Sequence, residues 1–129
     1  MHIFHSFIAA SVVSLGLASP LALADAATDT AMLKLASTSG CMTCHSVEPG
    51  NRADGSAPIG PAWRDVSAKY KGNADAPKLL KQAVLQGSNP YSSHWKGKVS
   101  GLAMPPNEVA ISEADASKLV GWILSLNAK

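Results

Sequence analysis

The 129-residue sequence predicts an all-α domain: four short helices and long loops wrapped around something apolar that the chain does not itself supply. Three observations carry this reading. Apolar residues recur at helical spacing in three segments, a fourth short helix opens on Pro61, and no segment alternates as a strand does. Glycine and proline crowd two stretches, 46–60 and 87–107, which are long for connections inside a small domain and therefore read as functional. Aromatic residues make up only 5% of the chain, so the helices carry too little bulk to fill a core.

The first element is a leader. Residues 1–24 contain no Lys, Arg, Asp or Glu. The apolar run from Phe7 to about Leu17, broken only by Ser11 and Ser14, is shorter than the ~20 residues a membrane-spanning helix needs. It ends in Leu21-Ala22-Leu23-Ala24, where Ala22-x-Ala24 is a signal-peptidase pattern. The expectation is a signal peptide over 1–24 that is removed, leaving a domain over 25–129. Ala24-Asp25-Ala26 offers a second cut two residues on, and the n-region lacks Lys and Arg, so an uncleaved anchoring helix is the alternative. No later stretch is apolar for 18 residues, so no membrane span is expected after cleavage.

The helices follow in order. Ala31, Met32, Leu35 and Ala36 form one face of a helix over 28–39, with Gly40 as its stop. Pro61, at a first helical position, opens a short helix to about Lys71, which Gly72-Asn73 breaks. Asp75 caps a third helix running to about Gln86, with Leu79, Leu80, Ala83 and Val84 inward and Gly87 in the left-handed C-terminal position. Ser112-Glu113-Ala114-Asp115 resembles a capping box with Asp in place of Glu or Gln, and Ile111 can staple onto Ala116. Ala116, Leu119, Val120, Ile123 and Leu126 then make the apolar stripe of the last helix.

Composition removes several classes. With 47% hydrophobic and 16% charged residues the chain is too apolar to be disordered. Two cysteines exclude a disulfide-dense scaffold. A net charge of +2 is too weak a field to argue for nucleic acid.

Cys41-Met42-Thr43-Cys44-His45 is C-x-x-C-H, the c-type haem attachment motif. Two cysteines three positions apart on one turn project their sulfurs to the same side, where they can add to the two vinyl groups of one haem. His45 then falls beneath the iron as proximal ligand. A thioredoxin-like site needs a βαβ context that is missing here. A Cys41–Cys44 disulfide would leave His45 and the long loops unexplained, and a zinc site wants four ligands. One covalent haem is the guest that the helices lack.

The far face of the iron needs a second ligand. Met42 lies inside the attachment loop on the His45 side, and Met32 sits at core spacing with Leu35 and Ala36. Met104 stands before Pro105-Pro106, which stiffen the backbone and hold a thioether in place without a helix. His94, in a polar segment, is open to three readings: an iron ligand, a hydrogen-bond partner of a haem propionate, or a solvated loop residue. Met104 is the expected ligand. A His/Met pair raises the potential, because thioether sulfur favours ferrous iron.

From residue 28 to 127 the chain resembles the small bacterial class I c-type cytochromes, monohaem electron carriers of the periplasm. The resemblance rests on the Cys41–His45 motif, Gly60-Pro61-Ala62-Trp63 and its continuation to Tyr70, Gly87-Ser88, Met104-Pro105-Pro106-Asn107, and Trp122-Ile123-Leu124-Ser125. It implies the cytochrome c fold, with the first and last helices crossing near Gly40 and Trp122. It implies that the Pro61 carbonyl accepts the Nδ1–H of His45, that Asn107 hydrogen-bonds the Met104 sulfur, and that Trp95 meets a propionate. The loop from His45 to Gly60 and the stretch from Trp95 to Met104 are longer than in the shortest members, and Ala103 stands where a proline is common.

The functional expectation is a carrier, not an enzyme: a one-electron shuttle, Fe(III)/Fe(II), between periplasmic redox proteins, taking electrons from a dehydrogenase or reductase and giving them to an oxidase or reductase. The alternative is the haem subunit of a periplasmic dehydrogenase complex, such as one oxidising sulfite. A ligand sensor or peroxidase is a third class and would need a labile Met104. Two haem propionates offset the net charge of +2, so partner choice is not written in net charge. Lys69, Lys71, Lys96 and Lys98 offer a local docking patch beside the plainer reading of solvated surface.

Overall fold

The computed structural model describes residues 20–127, so the predicted leader falls almost wholly outside the described residues. Four helices, α1 (Pro20–Thr38), α2 (Trp63–Lys69), α3 (Ala76–Gln86) and α4 (Glu113–Ser125), are joined by long loops, and a 3-10 turn spans Cys41–Thr43. Among the described residues there is no strand, only an isolated bridge between Lys96 and Val99. The expected all-α architecture is the observed one. No helix of the described residues is long and apolar enough to cross a membrane.

α4 is the spine. Its N-cap Ser112 accepts the Asp115 N–H at 3.1 Å, and its hydroxyl donates to the Asp115 carboxylate at 2.9 Å. Asp115 is one methylene shorter than Glu, and its carboxylate meets the Ser112 hydroxyl where a full capping box would reach the backbone N–H. The predicted stripe is buried throughout: Ala116, Leu119, Val120, Ile123 and Leu126 join Ile111, Ala36, Trp63, Val66 and Trp122 in the core. α1, α2 and α3 all pack against α4.

Five expectations shift. α1 starts at Pro20, well before residue 28, because Leu21-Ala22-Leu23-Ala24 and Ala26-Ala27 are strong helix formers. α1 crosses α4 through the Trp122 indole N–H, which donates to Asp29 at 2.8 Å, and through buried Ala36. Gly40 takes no part in that crossing: a Cβ there would meet nothing, and its φ of +76° serves instead to turn the chain into Cys41. Pro61 lies before the α2 N-cap, Ala62, and not inside the helix. In α3 the inward face is Leu80, Ala83, Val84 and Leu85, while Leu79 is 47% exposed. Gly87 ends α3 at φ 85°, ψ 172°, a region reserved for glycine but not the left-handed helical one.

Candidate haem site

A cavity of about 310 Å³, within the range of small-molecule sites, opens between α4, α3 and the loops. Cys41, Cys44, His45, Pro61, Trp95 and Met104, spread over 64 residues of sequence, all line it. Asn107 stands just outside.

The proximal wall is built by zipping two segments together. Gly60 N–H donates to the Cys44 carbonyl at 2.7 Å, Trp63 N–H to Ser46 at 2.9 Å, and Arg64 N–H to Val47 at 3.2 Å. This pairing carries the Pro61 carbonyl to 2.7 Å from His45 Nδ1. A carbonyl only accepts, so Nδ1 holds the proton and Nε2 keeps its lone pair. Burial pushes the His45 pKa below its ordinary value against the opposing pull of the Pro61 carbonyl, so the ring is neutral at pH 7, the form that binds a metal. The ring stacks on Trp63 at 6.0 Å and 21°, and Trp63 stands edge-on to Trp122 at 5.6 Å, so the spine backs the imidazole. Gly60 has to be glycine: a Cβ there would lie 2.7 Å from His45 Cε1. Cys41 begins the 3-10 turn, whose carbonyl takes the N–H of Cys44 at 3.3 Å and of His45 at 3.1 Å. No disulfide joins the two cysteines, and burial raises the Cys41 thiol pKa.

The distal wall is the loop after α3. Met104 gives its N–H to Ser88 Oγ and receives the Ser88 N–H at its carbonyl, both at 2.9 Å. Asn107 closes the loop onto α3, whose last carbonyls lack helical partners. Its backbone N–H reaches the Val84 and Leu85 carbonyls at 3.1 and 3.2 Å, and its amide donates to Val84 at 3.3 Å and Pro105 at 2.6 Å. With its amide directed there, Asn107 ties the loop that carries Met104 to the end of α3. Gly101 N–H bonds the Ile59 carbonyl at 2.9 Å, and a Cβ at 101 would sit 2.5 Å from that oxygen, so the Met104 loop also abuts the strand of chain that seats His45.

Met32 packs against the core and Met42 is 39% exposed outside this cavity, so among the described methionines Met104 alone lines it. His94 lines it too, but is exposed, edge-on to Trp95 at 4.8 Å with Lys98 Nζ 3.2 Å from its Nε2. Its pKa is lowered, by desolvation first and then by the charges of Lys98 and Lys69. Trp95 is half-buried beneath Lys98, 5.8 Å from the ring centroid. Gly60, Trp63 and Ser88 enter the sequence reading only as part of the resemblance, and Gly101 has no role there.

The residues fit a haem. Two thiols, a neutral imidazole and a thioether face one cavity whose other walls are apolar, among them Ile59, Val66, Leu80, Val84 and Val120, with the polar stretch Ser88–Ser93 available to carboxylates.

The comparisons agree. The cytochrome c family model matches residues 33–127. Cytochrome c-551 of Allochromatium vinosum is 41% identical over 107 residues, 83% of this chain and 90% of that one. Cytochrome c-552 of Nitrosomonas europaea is 38% identical over 92 residues, 71% of this chain and 75% of that one. The crystal structure of wild-type Nitrosomonas europaea cytochrome c552 matches at a TM-score of 0.57 and 37% identity, covering 73% of this chain and 98% of that one. A chain with this fold, this cavity and these relatives belongs to the cytochrome c family, and it is an electron carrier holding one haem c covalently through Cys41 and Cys44.

Proposed function

We propose that this cytochrome is exported, loses its leader near Ala24, and shuttles single electrons between periplasmic redox proteins with His45 and Met104 as the axial ligands. The observation that carries the ligand assignment is the shared cavity: His45, oriented by Pro61, and Met104, tied by Ser88, line it together with both cysteines. The haem supplies a reversible Fe(III)/Fe(II) couple when bound. The chain excludes water with its apolar walls, fixes the imidazole tautomer and holds the thioether. With His45 and Met104 both holding the iron, no open site would be left for oxygen or peroxide, which favours the carrier over a sensor or a peroxidase. The relatives named above are all cytochromes c, which favours the carrier over a dehydrogenase subunit.

Mass spectrometry of protein made with haem-maturation machinery tests the export reading. The expected product starts near Asp25 and is heavier by one haem. A product that keeps Met1, or carries no haem, would overturn it.

Docking is a second test. Lys69 and Lys98 both act on His94, which lines the cavity, so positive charge gathers beside the cavity. If it steers an acidic redox partner, the association rate falls as salt rises, because exposed charges are screened over about 8 Å at physiological ionic strength. A rate unchanged between low and high salt would remove the patch from the mechanism.

A further inference from the structure

Ser88 makes two hydrogen bonds to a single residue. Its N–H donates to the Met104 carbonyl and its Oγ accepts the Met104 N–H, each at 2.9 Å. Both main-chain polar groups of Met104 are thereby satisfied by one neighbour sixteen positions earlier. The approach is close enough to dictate the preceding residue. A Cβ on Gly87 would stand 2.9 Å from the Met104 carbonyl oxygen and 3.1 Å from Pro106, and Gly87 has a φ of +85°. The requirement at 88 is chemical as well as steric, since a short side chain carrying an acceptor is needed.

We propose that Ser88 is a positioning residue for Met104, and that its hydroxyl oxygen sets how readily the thioether can leave the iron. The backbone bond from the Ser88 N–H holds the Met104 carbonyl whatever the side chain is. The Oγ bond adds a second point, so the peptide can neither slide nor rotate, and Pro105-Pro106 limit the rotation that remains on the other side. Remove Oγ and the Met104 N–H loses its partner beside an apolar cavity, a group that is costly to leave unpaired. States in which the loop swings out are then easier to reach. The inference rests on Met104 being the distal ligand.

The test uses the haem-loaded protein and imidazole, which competes with a thioether for ferric iron. Ser88→Ala is expected to keep the weak sulfur-to-iron absorption band in the absence of imidazole, because Met104 itself is unchanged. It is expected to bind imidazole about three- to tenfold more tightly than the wild type, the range one net hydrogen bond commands. Ser88→Thr keeps the oxygen and should return the affinity to wild type. Ser67→Ala is the control for general loosening: it removes the bond from the buried Ser67 hydroxyl to the Leu124 carbonyl at 3.0 Å, in a different part of the fold, and should leave imidazole affinity unchanged. Should Ser88→Ala not accumulate, Ser88→Cys, with a weaker acceptor at the same place, is expected to raise the affinity by a smaller factor.

The failures separate. A wild-type ferric protein with no sulfur-to-iron band overturns the Met104 assignment and this inference with it. A wild-type band, with Ser88→Ala or Ser88→Cys binding imidazole no more tightly than wild type, overturns the inference alone. So does a Ser67→Ala protein that gains as much affinity as Ser88→Ala, since the effect would then be loss of stability in general.

Discussion

Met104→Ala is expected to change three readouts together. The sulfur-to-iron band of the ferric protein should vanish, the potential should fall, and the ferrous form should bind carbon monoxide. The first follows from loss of the sulfur, the second from loss of a ligand that favours ferrous iron, the third from a vacated coordination position. His94→Ala is the contrasting variant. His94 also lines the cavity, but it is exposed and its Nε2 lies 3.2 Å from Lys98 Nζ, so the nitrogen that would reach the iron is turned to an ammonium instead. His94→Ala should leave the band and the carbon monoxide response as in the wild type. Visible spectra of both variants with and without carbon monoxide, and a potentiometric titration, decide the matter. If His94→Ala opens the iron and Met104→Ala changes nothing, the protein is a bis-histidine cytochrome and the high-potential carrier reading fails.

The guest is legible in the sequence because it depends on residue type, and so are the candidate ligands. Cys41, Cys44, His45 and Met104 are each read from chemistry that few residues can perform, and Pro105-Pro106 flagged the segment around Met104. α4 was legible because one helix covers its own period: cap, staple and stripe all lie within residues 111–126, the cap and the stripe are observed, and Ile111 and Ala116 are buried in one cluster. What escaped depends on juxtaposition. Gly60 reads as a loop glycine until the His45 ring is seen where its Cβ would be. Ser88 is an ordinary serine until Met104 is brought to it. Asn107 was expected at the sulfur by resemblance, but its amide serves the carbonyls of Val84 and Pro105, a partnership between a loop and the end of α3 that no local pattern encodes. Helix starts were misplaced for a related reason. At Pro61 the signal for a first helical residue was sound, yet the carbonyl was required by His45, and the helix begins at Trp63.

Cys41→Ser combined with Cys44→Ser is expected to leave a chain that does not fold cooperatively. The protein's own core is small, centred on Trp63, Leu119, Trp122, Ile123 and Leu126 and a few smaller neighbours. Ile59, Leu80, Val84 and Val99 face the cavity and are only half-buried by the protein, so the haem must complete their burial. The cavity of about 310 Å³ is open to solvent, so without the haem water wets the apolar faces of α3 and α4 and loosens the seam between them. Either single cysteine variant should keep one thioether and hence the fold, with a spectrum shifted by the vinyl group left unsaturated. The double variant, isolated without haem, should show reduced helix content by far-ultraviolet circular dichroism and no sharp thermal transition. A haem-free double variant that melts cooperatively with native helix content would mean that the helices close over the cavity unaided. The haem would then be a passenger in a finished fold and no longer most of its core.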